Sequence, residues 1–437
     1  MAALGLAVPF LVGIAVLKGL TVEIDTFHGT DAGVYQLPTI LQLSERLDLS
    51  DYPSAQTPLF HLAMAGWGEV VGFELWKLRL LNVAISYGAA LALLRLLQRA
   101  TPLAQLPAFA LTLAFVLSPY VFGASFTLLT DNLAILFALL ALERLHAYAR
   151  EGSPVAFALA CLAIGAAVLT RQSFLWLVPV AAFLLVRPPL HAPRLAAGSA
   201  LLGLSLVPLA ALVVEWNGLV PPSADPASCG LCTDRPGVGR DTLTLRTVGF
   251  TVALLGVYAS LVFGPSVWRR LRMLRSPLGR VAGAALGAAG RRPRPPLGVL
   301  AGAAAAGVAL LLISPLEYMP ARPGVQGDAG YLWRVTDLVP TLLGSSLLFW
   351  VLVPLGALAA ALLVERAGRR SLPSIYLGAF LLGTLPVNLV YQKYFDPFML
   401  LAVALFARPP DLRTRWDYAG LALICAGSVA YALSFAG

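Results

Sequence analysis

Charge is scarce in this chain. Asp, Glu, Lys and Arg together supply 12% of its 437 residues, about half the share found in ordinary soluble domains. With 59% of residues hydrophobic and a mean hydropathy of +0.80, a soluble globular protein is excluded. Cysteine is too rare, at 4 residues, to build a disulfide scaffold. Cys161 and Cys425 fall in apolar runs as packing residues. Cys229 and Cys232 form SCGLC in an expected external loop, where a local bridge is open to them; a thioredoxin-like surround or a second zinc-ligand pair is missing. The 4 histidines are scattered and there is no Asp-x-Asp element, so neither a metal nor any other cofactor is expected. No repeat of solenoid length is present. Lysine is nearly missing, at Lys18, Lys77 and Lys393 only, and arginine carries the basic charge.

What fills the chain is apolar segments of bilayer length. About 13 of them divide residues 1–437 into a single transmembrane domain, an all-α polytopic membrane bundle with the N-terminus inside and the C-terminus outside. The first segment lacks a basic leader and a small-residue cleavage site, so it reads as a helix and not a signal peptide. Arginines at 95, 99, 144, 150, 187, 194, 366–370 and 408–415, with an Arg-rich loop over 269–296, all phase to one side. By the positive-inside rule that side is cytoplasmic. Anionic membrane lipids, not nucleic acid, are the expected partners of that basic loop. The opposite side collects a first external loop over 23–78 and further connectors at 216–243, 316–340 and 390–395. The Arg-heavy, Lys-poor, Ala-rich usage points to a bacterial plasma membrane.

The first external loop is acid-rich and has two amphipathic stretches, interfacial helices by their pattern. One is VYQLPTILQLSERL; the other opens at Thr57-Pro58, an expected N-cap followed by Pro at the first helical position. Elsewhere the ionisable residues of the external side stand at span ends, where a charge faces a polar cavity or a partner. In TDNLA either Thr130 or Asp131 caps the helix, or Asp131 lines a pocket. Arg171, in the apolar VLTRQSFLW, needs an anion: Asp131, Asp31 or a substrate phosphate. Lys393 sits in an aromatic turn with Tyr391, Tyr394 and Phe395 and either snorkels or meets a phosphate. His28 and His61 are open to solvation, capping, or contact with a carboxylate or sugar.

Four strings then occur in order: KLRLLN from Lys77 to Asn82, SPYVFGASFTLLTDNLA from Ser118 to Ala134, LTRQSFLW from Leu169 to Trp176, and WNGLVP from Trp216 to Pro221. This order resembles the GT-C glycosyltransferases, above all the endoplasmic-reticulum alpha-1,2-glucosyltransferases that use dolichyl phosphate glucose. The resemblance covers roughly residues 20–222, with a weaker echo at Asn388 to Phe398. It departs at the first-loop acid, since Asp31 is followed by Ala32 and the run to Tyr35 and Pro38 is one residue longer than the family pattern.

The resemblance implies a GT-C-like bundle that transfers a sugar, with inversion, from a polyprenyl-phosphate donor to a hydroxyl of a glycan or glycolipid acceptor of the cell envelope, on the external face. It implies Asp31 as general base, with Asp25 and Glu23 as competitors. Arg171 and Lys393 become the phosphate contacts, and Gln172, Asp131, Tyr391, Tyr35 and His28 the remaining substrate-binding candidates. A lipid or glycolipid transporter or flippase is the rival, since polar span ends also line a path; the lack of repeats and of ionisable residues in span centres counts against it. An inert scaffold is the third alternative.

Overall fold

The computed structural model describes residues 2–20, 32–187, 192–221, 243–275, 297–317, 330–387 and 390–433. Within them the chain is helical, with one small hairpin. In lipid each backbone N–H and C=O must be satisfied inside its own segment, which helices do and open strands do not. In order the helices are α1 (Ala2–Val16), α2 (Leu37–Glu45), α3 (Leu59–Val71), α4 (Leu75–Ala100), α5 (Gln105–Val116), α6 (Pro119–Ser125), α7 (Asp131–Glu151), α8 (Pro154–Thr170) and α9 (Leu177–Leu185). They continue with α10 (Ala192–Trp216), α11 (Leu245–Arg275), α12 (Leu297–Ile313), α13 (Tyr331–Asp337), α14 (Leu347–Ala367), α15 (Leu372–Thr384), α16 (Asp396–Phe406) and α17 (Ala419–Leu433). By length and composition α4, α7, α10, α11 and α14 are each able to cross a membrane, and α5 with α6 makes a sixth span if the bent pair is one. Outward leucines and valines such as Leu4, Leu162 and Val214 are more than two-thirds exposed, as side chains facing lipid are.

Local chemistry sets the helix ends. Gly152, at φ +66°, closes α7; Ser153 accepts a bond from Ala156 N at 3.3 Å, and Pro154 opens α8. That Gly-Ser-Pro turn combines a left-handed C-terminal stop, an N-cap and a proline whose missing N–H costs nothing there. Packing between α11 and α14 depends on small residues. A Cβ on Gly356 would overlap the Val252 carbonyl oxygen, and one on Gly256 would stand 2.6 Å from the Leu352 oxygen. The two backbones therefore touch directly, and larger side chains would part them.

Arginines gather with buried acids at one set of helix ends. Glu143, 2% exposed, accepts Arg95 Nε at 2.8 Å, Arg99, and Arg144 at 3.3 Å. Asp417 takes Arg269, and Asp411 takes Arg366 at 2.8 Å. Pairing of this kind offsets the cost of taking a carboxylate out of water.

Several expectations are corrected. The apolar run over 106–123, long enough for one span, is not one continuous helix: α5 and α6 meet at a 70° bend, because Pro119 cannot extend α5 and Ser118 turns extended before it. The apolar run from residue 341 is not helical from its first residue: Thr341–Leu342 (β1) pairs antiparallel with Ser345–Ser346 (β2) around Gly344, at φ +77°, and α14 follows from Leu347. Thr57 does not cap α3. The helix begins at Leu59, and Thr57 Oγ1 donates instead to Val168 O at 2.7 Å, tying the first loop to the end of α8. The π-turn Ala32–Gln36 and α2 do occupy the first amphipathic stretch. Cys161 and Cys425 are free thiols; Cys229 and Cys232 lie outside the described residues.

Candidate active site at the loop-bearing end

The four strings of the sequence fold onto one another. In KLRLLN, Arg79 is 3% exposed and donates to Leu20 O at 2.9 Å, at the end of the first segment. Asn82, fully buried, donates through Nδ2 to Ala124 O at 2.6 Å and Thr127 O at 2.5 Å. It thus holds the non-helical link between α6 and α7. Asn132 does the same from the other side, donating to Ser86 Oγ at 2.7 Å, Val121 O at 3.0 Å and Ser125 Oγ at 3.1 Å. Buried amides satisfy carbonyls that no helix satisfies, so the start of α7 has a fixed position.

That position presents Asp131 to Arg171. The guanidinium of Arg171, 9% exposed as a side chain, stands 2.5 Å from the Asp131 carboxylate and 3.4 Å from Thr130 Oγ1. Thr130 makes no side-chain capping bond. Asp131 stands in the first turn of α7, as a helix-terminal acid does, and pairs with Arg171. Arg171 lies 5.4 Å from the ring centroid of Tyr394, and Lys393 Nζ lies 5.4 Å from the same ring. The half-buried ring of Tyr394 therefore lies within cation–π reach of two cations, one from each half of the chain. Asp131 is the single carboxylate that an ion-pair distance joins to Arg171 among the described residues. Gln172 extends the site: Nε2 donates to Ala55 O at 2.8 Å and Leu219 O at 3.4 Å. Its buried Oε1 has no hydrogen-bond partner among the described residues, which leaves an acceptor for a hydroxyl.

The first loop packs over this end. Tyr52 stacks on Trp216 with centroids 5.8 Å apart and planes 3° from parallel, and Trp216 donates to Leu49 O at 2.8 Å. Asn217 at φ +49° ends α10 directly after that tryptophan. His61 is fully buried in α3, against the expectation of a solvated or capping group. Its Nδ1 is 2.5 Å from Tyr52 Oη and its Nε2 2.6 Å from Gln36 Oε1. Burial pushes the imidazole down to about 3, and burial likewise raises the Tyr52 phenol. A neutral ring whose Nε2–H donates to Gln36 while Tyr52 donates to Nδ1 satisfies every polar atom. Gln36 closes the π-turn, so His61 fixes the chain immediately after Asp31.

A pH dependence follows. Above 6.5 the ring is neutral both folded and unfolded, and the packing is fully present. Between 6.5 and about 3 only the unfolded chain takes up the proton, so stability falls with pH at about 1.4 kcal/mol per unit. Proteolysis of the first loop between pH 7 and pH 4 is expected to accelerate in the wild type more steeply than in His61→Gln. Equal slopes would show that His61 does not hold the loop.

Among the sequence candidates, Asp131, Arg171, Gln172 and Lys393 come together. Tyr391 adjoins them, edge-on to Tyr394 at 6.1 Å. Tyr35 stands within the π-turn, where its carbonyl accepts Thr39 Oγ1 at 2.6 Å. Asp25, His28 and Asp31, with Glu23, lie outside the described residues. Three groups escaped the sequence reading: Arg79, named only as part of a string; Tyr394, named only as an aromatic neighbour; and Asp396. The last is completely buried, at the first residue of its helix. It stands at the start of α16 yet bonds Tyr258, in the middle of α11. The only local signal at that position is the Asp-Pro pair, a residue pattern typical of a helix N-terminus.

No protein-family model and no curated protein matches the chain. Two solved structures resemble it. ArnT from Cupriavidus metallidurans in the apo state is 17% identical with a TM-score of 0.40, over 94% of this chain and 79% of that one. The same protein bound to undecaprenyl phosphate gives 17% identity and 0.41, over 93% of this chain and 78% of that one. Likeness at this level does not carry an activity from one chain to another.

Proposed function

We propose that the chain is an integral-membrane glycosyltransferase of the GT-C type, moving a sugar from a polyprenyl-phosphate donor to an acceptor hydroxyl on the external face of a bacterial plasma membrane. The observation that carries this reading is the convergence of Arg171 and Lys393 on the ring of Tyr394, at the end of the bundle covered by the acid-rich first loop.

The chemistry makes definite demands. The donor's isoprenoid chain lies in lipid, and its phosphate must be met by fixed cations at the bilayer boundary. As the acceptor oxygen bonds to the anomeric carbon, the bond from that carbon to the phosphate oxygen breaks and its electron pair leaves with the phosphate. Arg171 and Lys393 offset the charge that accumulates there, an effect worth about 3 kcal/mol per preorganised donor. The acceptor's proton goes to a carboxylate, Asp31 first and Asp25 second, acting as general base. A single displacement inverts the anomeric centre. Gln172 Oε1 receives a hydroxyl of donor or acceptor, and the docked first loop keeps water from competing. His28, Tyr35 and Tyr391 border the sugar. The acceptor is a glycan or glycolipid of the envelope.

The test is transfer of label from a panel of radiolabelled polyprenyl-phosphate hexoses and pentoses in membranes containing the protein. Label should move into a glycan or glycolipid from at least one donor and not from the matching nucleotide sugars. Flipping of a labelled lipid without transfer would replace the enzyme reading with the transporter one.

A further inference from the structure

At the helix start that follows Lys393 and Tyr394 is a polar cluster that the reaction as written does not use. Asp396 is 0% exposed and no cation pairs with it among the described residues. Four donors from separate elements close on it instead. Ser118, at the bend between α5 and α6, donates to Oδ2 at 2.8 Å. Onto Oδ1 come the phenols of Tyr258 from α11 and of Tyr331 from α13, the latter at 2.8 Å. Gln392 Nε2 adds a bond to the same oxygen at 2.9 Å. Burial and the adjoining carboxylate hold the Tyr331 phenol protonated, as a donor must be.

Gln392 is the first residue of the 3-10 turn Gln392–Tyr394, which carries Lys393 and Tyr394. The turn is clamped laterally by α13 as well. Leu332 N donates to Gln392 Oε1 at 2.9 Å, and Trp333 Nε1 donates to Val390 O at 2.9 Å. Gly330 permits this approach, since a Cβ there would stand 2.3 Å from Gln392 Cβ in space it cannot share, and its φ of +130° suits only glycine. The contacts all bear on one short turn and one helix start, and the carboxylate is the hub of four of them.

We propose that Asp396 is a positioning residue for the donor phosphate: through Gln392 and the start of α16 it fixes the turn that presents Lys393 and Tyr394 opposite Arg171. The proposal rests on the glycosyltransferase reading for its substrate but not for its geometry. Geometry, not charge, is what the hub supplies, because an asparagine retains an oxygen for the phenols and Gln392 and offers its amide to Ser118 Oγ.

Two measurements on the full chain in lipid nanodiscs test it: KM and kcat for the donor, and amide exchange across 391–395. Asp396→Ala should raise the donor KM about tenfold with kcat changed much less, and speed exchange in the turn about tenfold. Asp396→Asn should restore both to within about threefold of wild type. Tyr376→Phe, which deletes a buried bond to Phe398 O of 2.8 Å on the same helix away from the turn, should move neither. Should Asp396→Ala fail to fold, Tyr331→Phe removes one of the four bonds and should shift KM and exchange in the same direction by about threefold. Unchanged exchange in Asp396→Ala overturns the anchor, and an asparagine variant as impaired as the alanine one overturns the geometric role in favour of charge. Failure of every donor in the wild type would sink the enzyme reading alone, since exchange still decides the anchor.

Discussion

Replacing Arg171 by alanine is expected to lower sugar transfer by about 10²–10³-fold, the loss typical of removing one preorganised group that meets developing charge. The same change leaves the Asp131 carboxylate, a fifth exposed, without its partner at 2.5 Å. Breaking a largely buried pair from one side costs about 3 kcal/mol or somewhat less at this exposure. Activity and stability must therefore be separated. The double variant Arg171→Ala, Asp131→Ala should recover much of the thermal stability, because no charge is stranded, while transfer stays lost. Arg171→Lys should keep the fold with transfer reduced about tenfold, since an ammonium lacks the planar fork. Thermal unfolding and donor turnover on the same preparations decide it. Recovery of transfer in the double variant would make Arg171 a structural residue only.

Asp31→Asn is expected to reduce kcat by about 10²–10⁴-fold, the range for losing a general base, with the elution profile and melting temperature of the wild type. The position is isosteric, so packing is not at issue. Asp25→Asn is expected to have a much smaller effect. Single-turnover rates with saturating donor distinguish the two acids directly. A large loss in Asp25→Asn with none in Asp31→Asn would transfer the role, and no loss in either would remove the loop carboxylates from the mechanism.

Bilayer length and arginine phasing made the helices readable, because lipid imposes one solution on the backbone. The turn at Gly152, Ser153 and Pro154 was equally plain in local residue types. The bend at Ser118 was less so: hydropathy runs unbroken across it, and only tertiary bonds to Asn82, Asn132 and Asp396 show what the interruption accommodates. The site divided in the same way. Arg171 and Lys393 stood out because a cation in an apolar stretch demands explanation. Asp396 did not, since an acid before proline at a helix start is ordinary in sequence, and its four donors come from regions far apart in the chain. His61 misled for the converse reason: a polar loop gives no sign that Tyr52 and Trp216 will roof it over.

The shared ring of Tyr394 has a bearing on biosynthesis. Its guanidinium neighbour is inserted early and its ammonium neighbour belongs to the turn before the second-last helix. On the proposed reading, a ribosome-bound nascent chain with most of its segments threaded into lipid holds only half of the pair that would meet the donor phosphate. Under that reading competence would arrive late, when α16 docks beside α5 and α11, and a chain truncated before Lys393 is expected to insert without transferring sugar.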